Sequence, residues 1–429
     1  MSTTHKRLRM TSVVAGIGIV AVLVAGCARG GDAGGGASGD ATEGPAEASP
    51  GITDTTLTFG ITSPLTGPTA GPGNCTVDGA LAYFGVKNAE GGIEFGDGKT
   101  RTIEIKSYDD AYDPQKALAN FQQMVSDGVF AAGVGLGTPT NRAWREAAIG
   151  EGVPQVLVMT GDPIFSDRAE SPEQIGLVPI YQQEGGAFGE LLASSGEDHK
   201  VAILSQNDDY GNGYVEGFMD AIDGADNIEV VKQLTYEATD TSVDAQLTEL
   251  AASGADVFFN AMSITPLVIS SLKKTEELGW TPSWFLPSNT SSPGGILQQP
   301  DVNAAAFPGI YTVAFSQSAA SPTFAESDEG KAFLDAIAEY TNQEGVPAFP
   351  HCVWSWIAAA TLEQAFMKME EPTRESFMDA LMSIKDYSAP FMLEGSTIDT
   401  TQDGKPAVSA VQVQKYNGKG YAPAESYGG

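Results

Sequence analysis

Histidine and cysteine are scarce in this chain, three of each in 429 residues, and His5 falls in the N-terminal segment. A metal site built from imidazoles, or a redox CxxC pair, has no residues to draw on, so no metal and no other cofactor is expected. Positive charge is also short: 23 Lys and Arg stand against 55 Asp and Glu, a formal net charge of −32. Nucleic acid and anionic lipid surfaces both call for basic patches, and neither is an expected partner. Catalytic signatures are missing as well. There is no GxSxG elbow and no HExxH helix. The run Gly133-x-Gly135-x-Gly137 lacks the third glycine of a dinucleotide loop, because position 138 is Thr. Gly98-Lys99-Thr100 lacks the leading glycine of a phosphate loop, because position 93 is Ile. The expectation is a binding protein, not an enzyme.

What is present begins with a targeting segment. Lys6, Arg7 and Arg9 precede an apolar run from Met10 to Val24, which is short for a membrane span and ends in Ala25, Gly26 and Cys27. Residues 1–26 therefore read as a secretory signal peptide. Val24-Ala25-Gly26-Cys27 resembles the bacterial lipobox, in which the cysteine is acylated and becomes the mature N-terminus. Acyl chains on Cys27 would hold the protein to the outer face of a membrane. Residues 27–54, rich in Gly, Ala, Ser, Asp, Glu and Pro, read as a flexible linker. With Cys27 lipidated, Cys75 and Cys352 remain, and outside the cytoplasm two such cysteines are expected to form a disulfide.

From Thr55 onward β-branched and apolar runs alternate with amphipathic stretches. Strand candidates fall at 56–62, 101–107, 129–134, 154–159, 200–205, 228–234, 255–260, 283–287 and 309–314. Helix candidates lie near 76–90, 114–127, 139–150, 182–195, 212–223, 242–253, 264–279, 328–342, 352–369 and 374–384. This alternation implies an α/β fold with parallel sheets covered on both faces. Asp113-Pro114 and Thr138-Pro139 each place a capping residue before a proline at a helix start. Lys200 opens a second βα series in the style of the first, which suggests two doubly wound lobes with a cleft between them.

Ligands in such folds sit beyond the carboxyl ends of the strands. In the first block those loops hold Ser63, Leu65 and Thr66, then Gly137 and Thr138, then Thr160, Gly161 and Asp162. Hydroxyls and glycines of this kind suit a carboxylate or amide, although each Ser or Thr alone reads equally well as a helix cap. The second block offers Tyr210, Met262 and Asn289, and Tyr181 lies near the expected crossover. The tyrosines serve either as aromatic contacts for a solute or as packing residues. Asp109 and Asp110 read as solvated turn residues, and Trp354 and Trp356 as core.

The stretches ITSPLTGP, DDAYDPQKA, VGLGTPTN, GVPQVLVMTGDP, QNDDYGNGY and ASGADVFFN, in this order, resemble the Leu/Ile/Val-binding type of substrate-binding proteins of ABC importers. The resemblance spans roughly residues 52 to 420. It implies a type I periplasmic-binding-protein fold, two parallel-sheet lobes joined by three hinge crossovers. It further implies discontinuous lobes, 55–181 with 315–386 and 182–314 with 387–429. The family's first-lobe contacts fall at Thr138 and Thr160 to Asp162, and its second-lobe aromatic contact falls at Tyr210. Amino-acid binders of this type place an acid after the strand at 283–287, yet residues 286–292 contain none. Either Asp162 or Asp208 takes that role, or the solute carries no ammonium. A Cys75–Cys352 bridge would tie the helix after the first strand to a late helix.

The expected function is capture of a small organic solute by lobe closure, for delivery to an ABC permease and its ATPase by a monomeric, lipid-anchored receptor. Branched-chain amino acids and related aromatic or aliphatic carboxylates and amides are the expected solutes. A ligand-sensing module on the same fold is the alternative.

Overall fold

The computed structural model describes residues 46–170 and 172–428. The signal peptide, Cys27 and most of the proposed linker lie outside the described residues. The end of that linker does not behave as one. Ser49 donates its N–H to the Pro372 carbonyl at 2.9 Å, and Ile52 is buried in the core. An apolar side chain with a place to pack anchors the chain before Thr55.

Two sheets organise the molecule. The first holds β1 (Thr56–Ser63), β2 (Ile93–Glu94), β3 (Thr100–Asp109), β4 (Ala131–Gly133), β5 (Gln155–Val158) and β6 (Gln174–Gly176), in spatial order β2-β3-β1-β4-β5-β6. The second holds β7 (His199–Gln206), β8 (Ile228–Tyr236), β9 (Val257–Ala261), β10 (Ser283–Phe285), β11 (Ile310–Ala314), β12 (Gln412–Tyr416) and β13 (Tyr421–Pro423), in order β13-β12-β11-β10-β9-β7-β8. The central pairs of both sheets are parallel, and among the named strands antiparallel pairing occurs at β2–β3, β11–β12 and β12–β13.

Between the strands run α1 (Ala70–Ala89), α2 (Pro114–Ser126), α3 (Thr138–Glu151), α4 (Tyr181–Ala193), α5 (Asp209–Ala221), α6 (Asp244–Ala251), α7 (Thr265–Glu277), α8 (Pro322–Glu326), α9 (Asp328–Tyr340), α10 (His351–Lys368) and α11 (Arg374–Leu381). Successive side chains of a strand leave on opposite faces, which is why both faces must be apolar. In β7, Val201 and Ile203 pack with Phe188 of α4 and Phe218 of α5, while Ala202 and Leu204 pack with Leu247 of α6 and Leu272 of α7. The first sheet is covered in the same way, by α1, α9, α10 and α11 on one face and by α2 and α3 on the other.

The chain leaves the first core at Val178 and returns to it at Phe315. The third crossing differs from expectation. Ala389, Phe391, Met392, Ile398, Ala407 and Val408 are all buried in the first core, so the chain crosses only between Val408 and β12, not near residue 387. Helix α1 also starts earlier than its periodicity suggests. Its Gly71-Pro72-Gly73 opening reads as a turn, yet proline is tolerated in a first helical turn. A side chain at position 73 would meet the Pro64 carbonyl oxygen at 2.0 Å, so glycine lets the helix start press on the first loop.

Cys75 of α1 and Cys352 of α10 form a disulfide, joining helices separated by 277 residues of sequence. Closing so long a loop restricts the unfolded chain strongly. Replacing both cysteines by serine is expected to lower stability by about 3–5 kcal/mol, read in urea unfolding with and without reductant. A loss under about 1 kcal/mol would show that α1–α10 packing alone suffices.

Candidate functional site

A pocket lies between the two sheets at their carboxyl ends, where ligands bind in folds of this kind. Both lobes line it. Gly137, Thr138 and Tyr112 face it from one side, and Tyr210, Tyr214 and Asn289 from the other. Ser288 and Trp354 also line a neighbouring pocket, which continues along Ser292, Thr312, Phe315 and Phe349.

The first wall begins at the turn before α3. Gly137 stands at φ 113°, where a side chain would be strained and would strike Thr140 and Tyr112. Gly137, not Thr138, is therefore the residue that precedes the helix. Thr138 falls in the first helical turn with its hydroxyl free of capping duty. Its Oγ1 shares hydrogen bonds with Thr160 Oγ1 at 2.9 Å and Tyr181 Oη at 2.8 Å, and the last two are 3.0 Å apart. This closed triangle of hydroxyls sits at the hinge.

Tyr181, Tyr210 and Tyr214 form an aromatic cluster, with ring centroids 4.9, 4.8 and 5.1 Å apart. They meet because α4 and α5 pack backbone to backbone. A side chain at Gly185 would lie 2.2 Å from the Tyr214 carbonyl oxygen, and one at Gly217 would lie 2.0 Å from that of Gln182. Tyr210 donates its hydroxyl to Asn289 Oδ1 at 3.0 Å and to the Met262 carbonyl at 3.3 Å. Tyr214 donates to Glu184 Oε2 at 2.8 Å, and Ser288 gives the same carboxylate its N–H at 3.1 Å and its hydroxyl at 2.9 Å.

Tyr112 reaches across from the first lobe. Ala111 and Tyr112 both adopt left-handed backbone, at φ 49° and 63°, a conformation that costs non-glycine residues about 1–3 kcal/mol each. The turn is held by Asp110, whose carboxylate accepts from the Thr62 hydroxyl at 3.0 Å and the Tyr112 N–H at 2.9 Å. Asp110 is fully buried, not solvated as its sequence suggests, and burial pushes its carboxyl up to about 7. So aimed, the Tyr112 hydroxyl lies 3.3 Å from Ser263 Oγ of the second lobe. Arg142 makes a second cross-lobe contact, pairing with Asp162 in its own lobe and with Asp209 at 3.1 Å in the other. The Ser292 hydroxyl donates to the Ala348 carbonyl as a third.

Of the residues singled out from sequence, Gly137, Thr138, Tyr181, Tyr210 and Asn289 line the cavity. The others do not. Ser63 is buried behind the wall, donating to the Gly73 carbonyl at 3.2 Å. Leu65 and Thr66 give their N–H groups to Asp109 and brace that turn. Thr160 completes the hydroxyl triangle from behind, and Gly161 packs closely on Tyr181 and Pro179. Asp162 is occupied by Arg142 and by the Ile164 N–H. Met262 is fully buried and contributes only its carbonyl. Asp208 caps α5 and also accepts from Gln206. Lining residues outside the expected set include Tyr112, Tyr214, Glu184, Thr69, His351 and Trp354, while Ser263 and Ser288 stand in the same strand-end loops as Met262 and Asn289. Trp354 belongs both to the core and to the cavity wall.

Two α/β lobes meeting on a pocket walled by both define a two-lobed α/β architecture with its candidate site between the lobes. The profile of the periplasmic binding protein family matches residues 56–421, and the chain belongs to that family, whose members are non-enzymatic solute receptors. Among curated proteins it resembles Leu/Ile/Val-binding protein homolog 3 of Brucella melitensis, 27% identical over 216 residues, covering 47% of this chain and 53% of that one. The leucine-, isoleucine-, valine-, threonine-, and alanine-binding protein of Pseudomonas aeruginosa is 27% identical over 207 residues, 48% of this chain and 53% of that one. The chain thus spans about half the length of the curated relatives it matches. A fatty acid ABC transporter substrate-binding protein from Thermomonospora curvata shares the fold with a TM-score of 0.72 at 21% identity, covering 88% of this chain and 95% of the other. Among the described residues, no helix is long and apolar enough to cross a membrane.

Glu184 carries a pH signature. Burial pushes its carboxyl from an ordinary 4.5 up to about 7, against the pull of its three donors. A raised carboxyl pKa means that the folded state holds the proton more tightly than the unfolded state. The stability it contributes is whole below about 4.5 and is lost as pH rises through about 7. The melting temperature of the ligand-free protein is expected to fall between pH 5 and 8 more steeply than that of Glu184→Gln. Parallel profiles would show that the carboxylate is ionised throughout.

Proposed function

We propose that this chain is the extracytoplasmic solute-binding component of an ABC importer, capturing one small organic solute by closing its two lobes. The observation that carries this reading is the cavity whose walls come from both lobes, with Tyr112 and Ser263 meeting across it. A ligand touching both lobes favours the closed arrangement because only there does it gain both sets of contacts. The tyrosine cluster and Trp354 offer flat apolar faces, and the first turn of α3, beginning at Thr138, points its helix N-terminus toward a carboxylate or amide.

The choice among solutes turns on Glu184. The acid absent from residues 286–292 is replaced in space by this carboxylate from α4, which accepts two hydrogen bonds from Ser288 of that very loop. An ammonium beside it would favour the ionised carboxylate, opposing the burial that raises its pKa, and no lysine or arginine among the described residues lines the pocket to compete. Branched-chain amino acids therefore stay among the expected solutes, with aromatic and aliphatic carboxylates or amides as the other class. The names of the curated relatives agree with the first class. Acylation at Cys27, a monomeric state, and a permease with its ATPase as partner complete the proposal.

Small-angle scattering and thermal melts with leucine, phenylalanine and benzoate test it. At least one solute is expected to reduce the radius of gyration and raise the melting temperature. Thr138→Ala and Tyr210→Ala should each weaken that solute about tenfold or more, roughly 1.4 kcal/mol. A broad panel with no response, or variants that bind like the parent, would remove the reading. The anchor is tested separately: cells fed labelled palmitate should label this protein but not Cys27→Ser, and label on the variant would place the acyl group elsewhere.

A further inference from the structure

Two polar side chains on the cavity wall are left unserved by the protein itself. The His351 imidazole is fully buried at the start of α10, and neither Nδ1 nor Nε2 has a hydrogen-bond partner among the described residues. Thr69, the residue before α1, is buried too, and its Oγ1 has no partner among the described residues. Threonine in that position commonly caps its own helix, and here it does not. Both residues line the same interlobe cavity. A buried polar group without a partner costs about 1–3 kcal/mol, so two on one wall mark a place where something else supplies the bonds.

Their placement is built. Cys352 follows His351 in α10, Cys75 lies in the second turn of α1, and the disulfide between them holds the two helix starts together. The Trp354 ring, 4.5 Å from the imidazole, packs against it. Burial keeps the imidazole neutral, its pKa pushed down to about 3. A neutral imidazole presents one N–H donor and one bare nitrogen, and a hydroxyl both donates and accepts. No lysine or arginine lines the cavity among the described residues. An alkyl group would satisfy neither side chain, and a carboxylate could only accept. A hydroxyl or a carboxamide does both.

We propose that His351 and Thr69 form a specificity subsite that binds an uncharged hydroxyl or carboxamide on the solute. The proposal rests on the solute-binding reading above and narrows its substrate class. A site built around such groups discriminates strongly, because the analogue lacking the polar group leaves the buried partners unpaired.

The test uses matched probes on the disulfide-intact protein: leucine against its near-isostere asparagine, phenylalanine against tyrosine, and benzoate against 4-hydroxybenzoate. Calorimetry should find the polar member of at least one pair binding tenfold or more tightly. His351→Phe should erase that preference, and His351→Gln, which keeps a donor and an acceptor, should restore much of it. The folded body contains two histidines, His199 and His351, so ring nitrogen resonances provide a readout that needs no variant to fold. Those of His351 should shift with the polar probe while those of His199 stay. Equal binding within every pair, a preference that survives His351→Phe, or a His351 ring that does not respond overturns the subsite and leaves solute binding standing. A panel in which no probe binds or closes the lobes overturns both.

Discussion

Parallel strand pairing is the constraint from which the rest of this molecule follows. Each strand of a parallel pair must be followed by a crossover that returns the chain to the same starting end, so the parallel strands of a lobe deliver their loops to one side. The sequence supplies most crossovers as helices of 8 to 20 residues, with only short helical turns between β5 and β6 and between β10 and β11, and the strands as short apolar runs, and both faces of each sheet are covered as a result. Two such sheets turned loop end to loop end make a cleft without any residue being dedicated to making one. The residues that line it are those that happen to stand at strand ends and helix starts, which is where unpaired backbone donors also collect.

Within that frame the aromatic wall depends on small residues more than on large ones. Gly185 and Gly217 let α4 and α5 approach until the backbone of one touches that of the other. Only at that spacing do Tyr181 and Glu184 of one helix meet Tyr210 and Tyr214 of the next. Any side chain at Gly185 or Gly217 would push the helices apart by displacing backbone, and the loss would be felt as a misplaced pocket as much as a destabilised lobe. The hydroxyl triangle of Thr138, Thr160 and Tyr181 has a similar character, because its three members come from three elements that converge at the hinge.

Most of the fold was legible in the sequence because period-2 and period-3.6 patterns are local. The apolar runs at 200–205 and 255–260 mark β7 and β9 with little error, and Asp113-Pro114 marks the start of α2. The site was legible only in part. The loops after strands bring Thr138, Tyr210 and Asn289 to the pocket wall. Tyr214 carried a usable signal, four residues past Tyr210 on one helix face, and Tyr112 stood in a strand-end loop already noted. Ser63, Leu65 and Asp162 were misread because a polar residue in a loop can serve its own loop as readily as a ligand, and only partners decide which. His351 and Trp354 carried no local signal at all. They reach the cavity because the chain returns to the first lobe long after leaving it and is then bonded to α1 through Cys352.

Closure itself looks finely balanced. The cross-lobe pair of Arg142 and Asp209 is largely solvated, the arginine side chain 36% and the aspartate 51% exposed, and pairs of that kind contribute about 0–1 kcal/mol. The contact between Tyr112 and Ser263 comes with two left-handed residues whose cost is of the same size or larger. Contacts this modest would not by themselves lock the lobes. If a solute is captured by closure, as proposed, such contacts suit an equilibrium that a small molecule can shift, since a ligand shifts it only by its differential affinity. A receptor that hands its solute to a partner would be better served by that balance than by a strong latch. On that proposal, the groups that remain unpaired in the pocket wall, more than those already paired across it, would supply the free energy of closure.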